Sequence, residues 1–170
     1  MLGQGRAGLL WLVPAFFAVH NLEEGMTMGR HLPAVRTRLP ERIRALVAGL
    51  DSGRYAVLLA AITAAAFLIA ASGDLDGPGP AGYALLALQA TMLINVFSHI
   101  TGAVLLRGYA PGLVTALAIN LPFSLILLNT AWQAAWYPHP ALLWLAPLAL
   151  ILHGPVLVGL LLATSRTRFG

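Results

Sequence analysis

The sequence has no cysteine, which removes disulfides, zinc–thiolate sites, iron–sulfur clusters and thiol nucleophiles from the chemistry open to it. It has no lysine either. All ten cationic residues are arginine, so Schiff-base chemistry is excluded as well. Charge of either sign is scarce: 9% of 170 residues are charged, while 59% belong to the apolar and aromatic set and the mean hydropathy is +0.81. A soluble domain carries about 25% charged residues, so this chain cannot coat a globule with polar surface. That shortfall excludes a soluble enzyme, a nucleic-acid-binding domain and a disordered chain. The net charge of +4 does not revive a nucleic-acid partner, because the arginines flank apolar runs. The expected class is an all-α, polytopic transmembrane helical bundle, a single integral membrane domain over residues 1–170 whose partner is the lipid bilayer.

What the sequence does have is apolar length. Five stretches read as spans, approximately 7–24, 55–72, 81–106, 110–130 and 141–164. About 20 mostly apolar residues cross a bilayer core, which the last three clear easily. The first is short and contains Pro14, so it spans only if His20 and its acidic neighbours lie at membrane depth. A secretory leader is the rival account of that stretch, but no small-x-small cleavage site follows it. The connectors set the orientation. Arg30, Arg36, Arg38, Arg42, Arg44 and Arg54 crowd the first, Arg107 marks the third, and Arg166 and Arg168 end the chain, while Asp74 and Asp76 sit in the second. The positive-inside rule then places the N-terminus outside and the C-terminus in the cytoplasm, with Arg6 alone among the arginines outside. A bacterial cytoplasmic membrane is the expected location. Residues 33–49 alternate apolar and basic residues as an amphipathic segment on the inner leaflet. Trp132, Trp136 and Tyr137 read as an interfacial belt at the opposite face.

Chemistry concentrates in His20-Asn-Leu-Glu23-Glu24. On a helix, positions i, i+3 and i+4 share a face, so an imidazole and two carboxylates project together. An ionised acid at mid-bilayer costs about 2.5–3.5 kcal/mol on insertion scales, so adjacent glutamates there need a metal, a proton or an arginine. A second cluster, Asn95-Val-Phe-Ser-His99, places Asn95 and His99 on one face of span three. Depth arithmetic puts His99 about 12 Å from Arg107 and His20 about 15 Å from Arg30, within one layer. Asn120 and His153 fall deeper, each about 20 Å from the nearest inner arginine. Ser98 and His99, one residue apart, point in different directions and make no nucleophile–base pair. His31 and His139 read as solvated connector residues. Pro111-Gly112 reads as an ordinary helix start.

The His20, Glu23, Glu24 triplet, in a multi-span apolar chain of this size, resembles a family of small bacterial membrane proteins named for an HxxEE motif. Asn95 and His99, followed by Arg107-Gly-Tyr-Ala-Pro-Gly112, resemble the rest of that family's pattern. The resemblance covers most of the chain and implies no substrate or cofactor, since the family is uncharacterised.

Three functions compete on these residues. The first is an intramembrane enzyme acting on an amphiphilic or lipid-soluble substrate through a metal-assisted or general acid–base site. In it, His20, Glu23, Glu24, His99 and Asn95 carry the catalysis. Any divalent first-row ion (Zn, Fe or Mn) takes its ligands from His20, Glu23, Glu24, His99 and His153. The second is a proton- or metal-coupled transporter, disfavoured by the near absence of ionisable groups in the outer halves of the spans. The third is a non-catalytic scaffold whose polar residues are interhelical glue.

Overall fold

A computed structural model of the chain describes residues 5–38, 41, 44 and 51–166. Among them every regular element is helical. The order is α1 (Arg6–Arg38), α2 (Ser52–Ala71), α3 (Pro80–Leu106), α4 (Leu113–Gln133) and α5 (His139–Thr164). The helices α2 to α5 are each long and apolar enough to cross a membrane. The first is not among these four, because His20, Asn21, Glu23 and Glu24 dilute its apolar run. At 33 residues it is nevertheless about 50 Å long, well beyond the expected end near residue 24. Residues 33–38 of the expected amphipathic segment continue this helix; most of the remainder of 33–49 lies outside the described residues.

Local chemistry explains the boundaries. Asp51 caps α2, its Oδ1 accepting from the Arg54 N–H at 2.8 Å, a device worth about 1 kcal/mol. Ser72 closes the same helix by donating to the Ile69 carbonyl at 2.9 Å. The acidic connector folds back on itself where Asp74 Oδ1 accepts from the Asp76 N–H, and Pro80 then opens α3 at a position where its missing N–H costs nothing. Arg107, in the left-handed region at φ 54°, ends α3, and the Gly108 N–H returns to the Ala103 carbonyl.

Two prolines leave a visible mark. Ahead of Pro122 the fourth helix widens into a π turn over Ala116–Asn120, and α5 does so over Leu152–Val156 around Pro155. A proline ring clashes with the carbonyl four residues back and offers no N–H to it; the wider turn absorbs both effects.

The third helix is central, packing against each of the other four. Leu85, Leu86, Leu10, Val13, Leu127 and Ala149 form the heart of the apolar core. Inside it Gln89 donates to Ser124 Oγ at 2.7 Å, a buried interhelical link of the kind worth about 1 kcal/mol within a bilayer. The outside is greasy: Leu68, Val104, Leu22 and Trp144 are each more than 60% exposed, a surface that suits acyl chains rather than water.

The connector ends of the bundle differ from the expected belt. Tyr137 is buried, not interfacial: its hydroxyl donates to the Gly79 carbonyl at 2.6 Å. Burial raises its pKa above the usual phenol value, and the adjacent Arg6 charge works against that rise. Arg6 is itself buried, its guanidinium 5.1 Å from the Trp136 ring centre and 5.0 Å from that of Tyr137.

Candidate functional site

His20 and Glu24 lie one turn apart on α1, and Asn95 and His99 one turn apart on α3. Close packing of these two helices brings both pairs face to face. The Nε2 atoms of His20 and His99 approach to 3.2 Å, with the rings edge to face. Glu24 Oε2 lies 3.6 Å from His20 Nε2, and its other oxygen accepts from the Tyr55 hydroxyl at 2.6 Å. The donor atoms of His20, Glu24 and His99 all lie within 4.8 Å of one another. His20 is fully buried and His99 nearly so.

The partners of each imidazole assign its proton. His20 Nδ1 is 2.9 Å from Thr115 Oγ1, whose own hydrogen is directed to the Gly112 carbonyl; the ring therefore donates. On His99 it is Nε2 that lies 2.9 Å from the Asn95 amide nitrogen, which can only donate, so this ring too carries its hydrogen on Nδ1. With both Nδ1 positions protonated, both Nε2 atoms present lone pairs to each other and to the Glu24 carboxylate. Three electron-pair donors thus converge with no donor of their own between them. Asn95 answers this in part, its Nδ2 donating to His20 Nε2 at 3.1 Å and to His99 Nε2 at 2.9 Å.

The connector between α3 and α4 is built to hold this arrangement. Gly112 has φ +80°, and a Cβ there would stand 2.7 Å from the His99 ring and 2.9 Å from the His20 ring. Only glycine satisfies both the backbone and the space. Glu23, next to the cluster in sequence, is turned away from it. Its carboxylate sits on the start of α4, accepting from the Thr115 N–H at 2.7 Å, the Val114 N–H at 3.2 Å and the Tyr109 hydroxyl at 2.5 Å. That is where unsatisfied N–H groups and the positive end of a helix dipole favour an anion. Burial, and secondarily the Glu23 carboxylate, push the Tyr109 hydroxyl above the usual phenol value, so it remains a donor at any physiological pH.

Of the residues expected at the site, then, His20, Glu24, Asn95 and His99 come together. Glu23 holds the neighbouring helix, and His153 stands apart with its Nε2 2.7 Å from Ser98 Oγ. Ser98 does point away from His99, as the one-residue spacing requires, but toward a histidine on α5. Asn120 is buried with neither amide atom hydrogen-bonded and is not part of the cluster. His31 is helical rather than in a connector, bonded to the Thr27 carbonyl and packed on Tyr109. Tyr55, Gly112 and Thr115 are the supporting residues that sequence reasoning missed. The only signal for the last two was the Gly-Tyr-Ala-Pro-Gly run directly before a span.

A cavity of about 470 Å³ reaches the cluster from the side. Glu24, Tyr55, Asn95 and His153 line one end, while His20 and His99 stand behind that wall. The exposed Ala65 and Leu160 lie on its rim, so it opens between α2 and α5.

The pattern of a protein family described as "Protein of unknown function with HXXEE motif" matches residues 11–127, more than half of the chain. The chain belongs to the HXXEE family. No curated protein and no solved structure matches it. The matched span of this HXXEE protein takes in His20, Glu23, Glu24, Asn95, His99 and the whole α3–α4 connector, and leaves α5 and His153 outside. Within the motif of this HXXEE chain the two glutamates therefore divide their labour: the second faces the histidines, and the first pins the helix that carries the connector.

Proposed function

We propose that this chain is an intramembrane enzyme acting on a lipid-soluble or amphiphilic substrate through a divalent first-row metal ion held by His20, His99 and Glu24. It would reside in a bacterial cytoplasmic membrane. All five helices would cross it, with the N-terminus outside and the arginine-rich end of α1, the Arg107 connector and the C-terminus in the cytoplasm. The observation that carries the proposal is the convergence of two Nε2 atoms and a carboxylate, with the Asn95 amide donating to both rings and the Nδ1 of His20 engaged by Thr115. Metal-ligating histidines are oriented by just such second partners. Two histidines and one carboxylate also leave coordination positions open, the pattern of catalytic rather than structural sites. An ion held by His20, His99 and Glu24 would supply Lewis acidity and make a bound water more acidic.

Asn95 favours a second reading. Its amide already satisfies both lone pairs, so a metal-free His–Glu acid–base site is chemically complete. Elemental mass spectrometry of the detergent-purified protein separates the two. The metal reading expects near-stoichiometric Zn, Fe or Mn in the parent and its loss in Glu24→Ala with the fold retained. Absence of metal from the parent, after purification without chelators and after reconstitution, would sink the metal centre and leave the acid–base site.

A further inference from the structure

Beyond the cluster, the cavity has a polarity gradient that no part of the proposed metal chemistry requires. Of its polar lining residues, Asn21, Glu24, Tyr55, Asn95 and His153 lie toward the end shared with the cluster, and Thr91 lies one turn farther along α3. The far end is walled by Ile69, Ala84 and Leu148. Tyr55 and Ile69 are fourteen positions apart on α2, so the slot runs for about 21 Å along the helix axis. Small residues keep it open: Ala66 and Ala87 are buried in its floor.

We infer that this slot binds a neutral single-chain lipid, with an uncharged oxygen group (hydroxyl, aldehyde or ester) at Glu24 and Asn95 and an aliphatic tail along α2 toward Ile69. The inference rests on the proposed site for its head end and on the cavity alone for its tail. The slot is long and narrow with one polar end, which fits a single extended chain rather than a compact ring system. Phosphate heads are recognised by arginine and lysine. The sequence has no lysine, and no arginine lines the cavity among the described residues. An ammonium head would meet the ion's own positive charge. Acyl chains gain little on leaving lipid for an apolar groove, since bilayer tails are as apolar as leucine. The slot therefore aligns the tail, and selectivity falls to the head.

The test uses the full-length protein in lipid nanodiscs, with a hexadecanol carrying a mid-chain diazirine as the probe. Photolabelling followed by peptide mass spectrometry should mark the slot wall around Ile62, Ala66 and Leu88. Excess unlabelled hexadecanol should reduce that labelling about tenfold, and hexadecyl phosphate should leave it unchanged. Ala66→Trp, or Ala84→Phe should the first misfold, should abolish slot labelling while metal content stays at the parental level. Labelling spread evenly over lipid-facing residues such as Leu68 and Val104, or equal competition by the phosphate, would overturn the inference. Because competition is read on the unaltered protein, the result does not depend on either variant folding. The two readings also fail separately: slot labelling without metal defeats the metal centre alone, and metal without slot labelling defeats the slot alone.

Discussion

The bundle buries polar side chains near both of its ends, and the two sets are unlike. Where α1 meets the start of α4, acceptors are in excess: two imidazole lone pairs and a carboxylate face one another with only one amide between them. Where Arg6 meets the α4–α5 connector, donors are in excess. The guanidinium lies against two aromatic rings, with its Nε and Nη2 unbonded and a single long contact of 3.5 Å to the Trp136 carbonyl. Ring faces hold a cation in any nearby orientation, and the contact tolerates imprecision. Lone pairs aimed at one point do not. The Arg6 end is consistent with anchoring, and the His20 end with a site whose parts must be placed to a fraction of an ångström.

Substitutions at the two ends should separate these roles, and the largest effect belongs to the cluster. Replacing His20 or His99 by alanine is expected to lower bound metal by more than about 100-fold, read by elemental mass spectrometry on protein that still elutes as a folded species. Next comes Gly112→Ala, which forces a Cβ against both rings at an unfavourable φ. It should destabilise the protein by about 1–3 kcal/mol, seen as a fall in thermal midpoint in detergent, and should reduce metal content as well. Glu23→Gln keeps the shape but removes the charge at the start of α4. A loss of about 1–2 kcal/mol is expected with metal retained; loss of metal at unchanged stability would instead make Glu23 a ligand. The smallest effect is expected at the other end. Arg6→Leu should change stability by no more than about 1 kcal/mol, since replacing a buried, poorly paired charge with an apolar side chain is often neutral. It should leave the metal content untouched, and a coupled loss of metal would break the contrast between the two ends.

Much of this was legible from spacing alone. The i, i+4 relations put His20 with Glu24 and Asn95 with His99 on one helix face each, and matched depth put the two histidines in one layer before any fold was known. Depth arithmetic cannot supply rotation about a helix axis, and that is where the reading failed to discriminate. His153 has a suitable depth but turns toward Ser98. Glu23 and Glu24 differ by about 100° of rotation, and which one faces the histidines depends on where α4 begins. The role of Gly112 was hidden for a different reason. A glycine after proline at a helix start looks like ordinary capping, and its tight approach to two rings is a tertiary fact. The first span was bounded by its apolar run, whereas α1 continues past it through Pro33 as a helix held by neighbours on two sides.

The doubly engaged amide of Asn95 bears on the order of events in the life of the protein. Small zinc domains stay unfolded until their ion arrives, because nothing else reconciles their ligands. Here a side chain already occupies the ligand-facing edges of both histidines, so the helices can insert and assemble with no ion at hand. On the metal reading, loading would then be a late, local step in which the Asn95 carboxamide gives up its place to the ion. The chain would therefore be open to regulation by ion supply after assembly, without its fold being at stake.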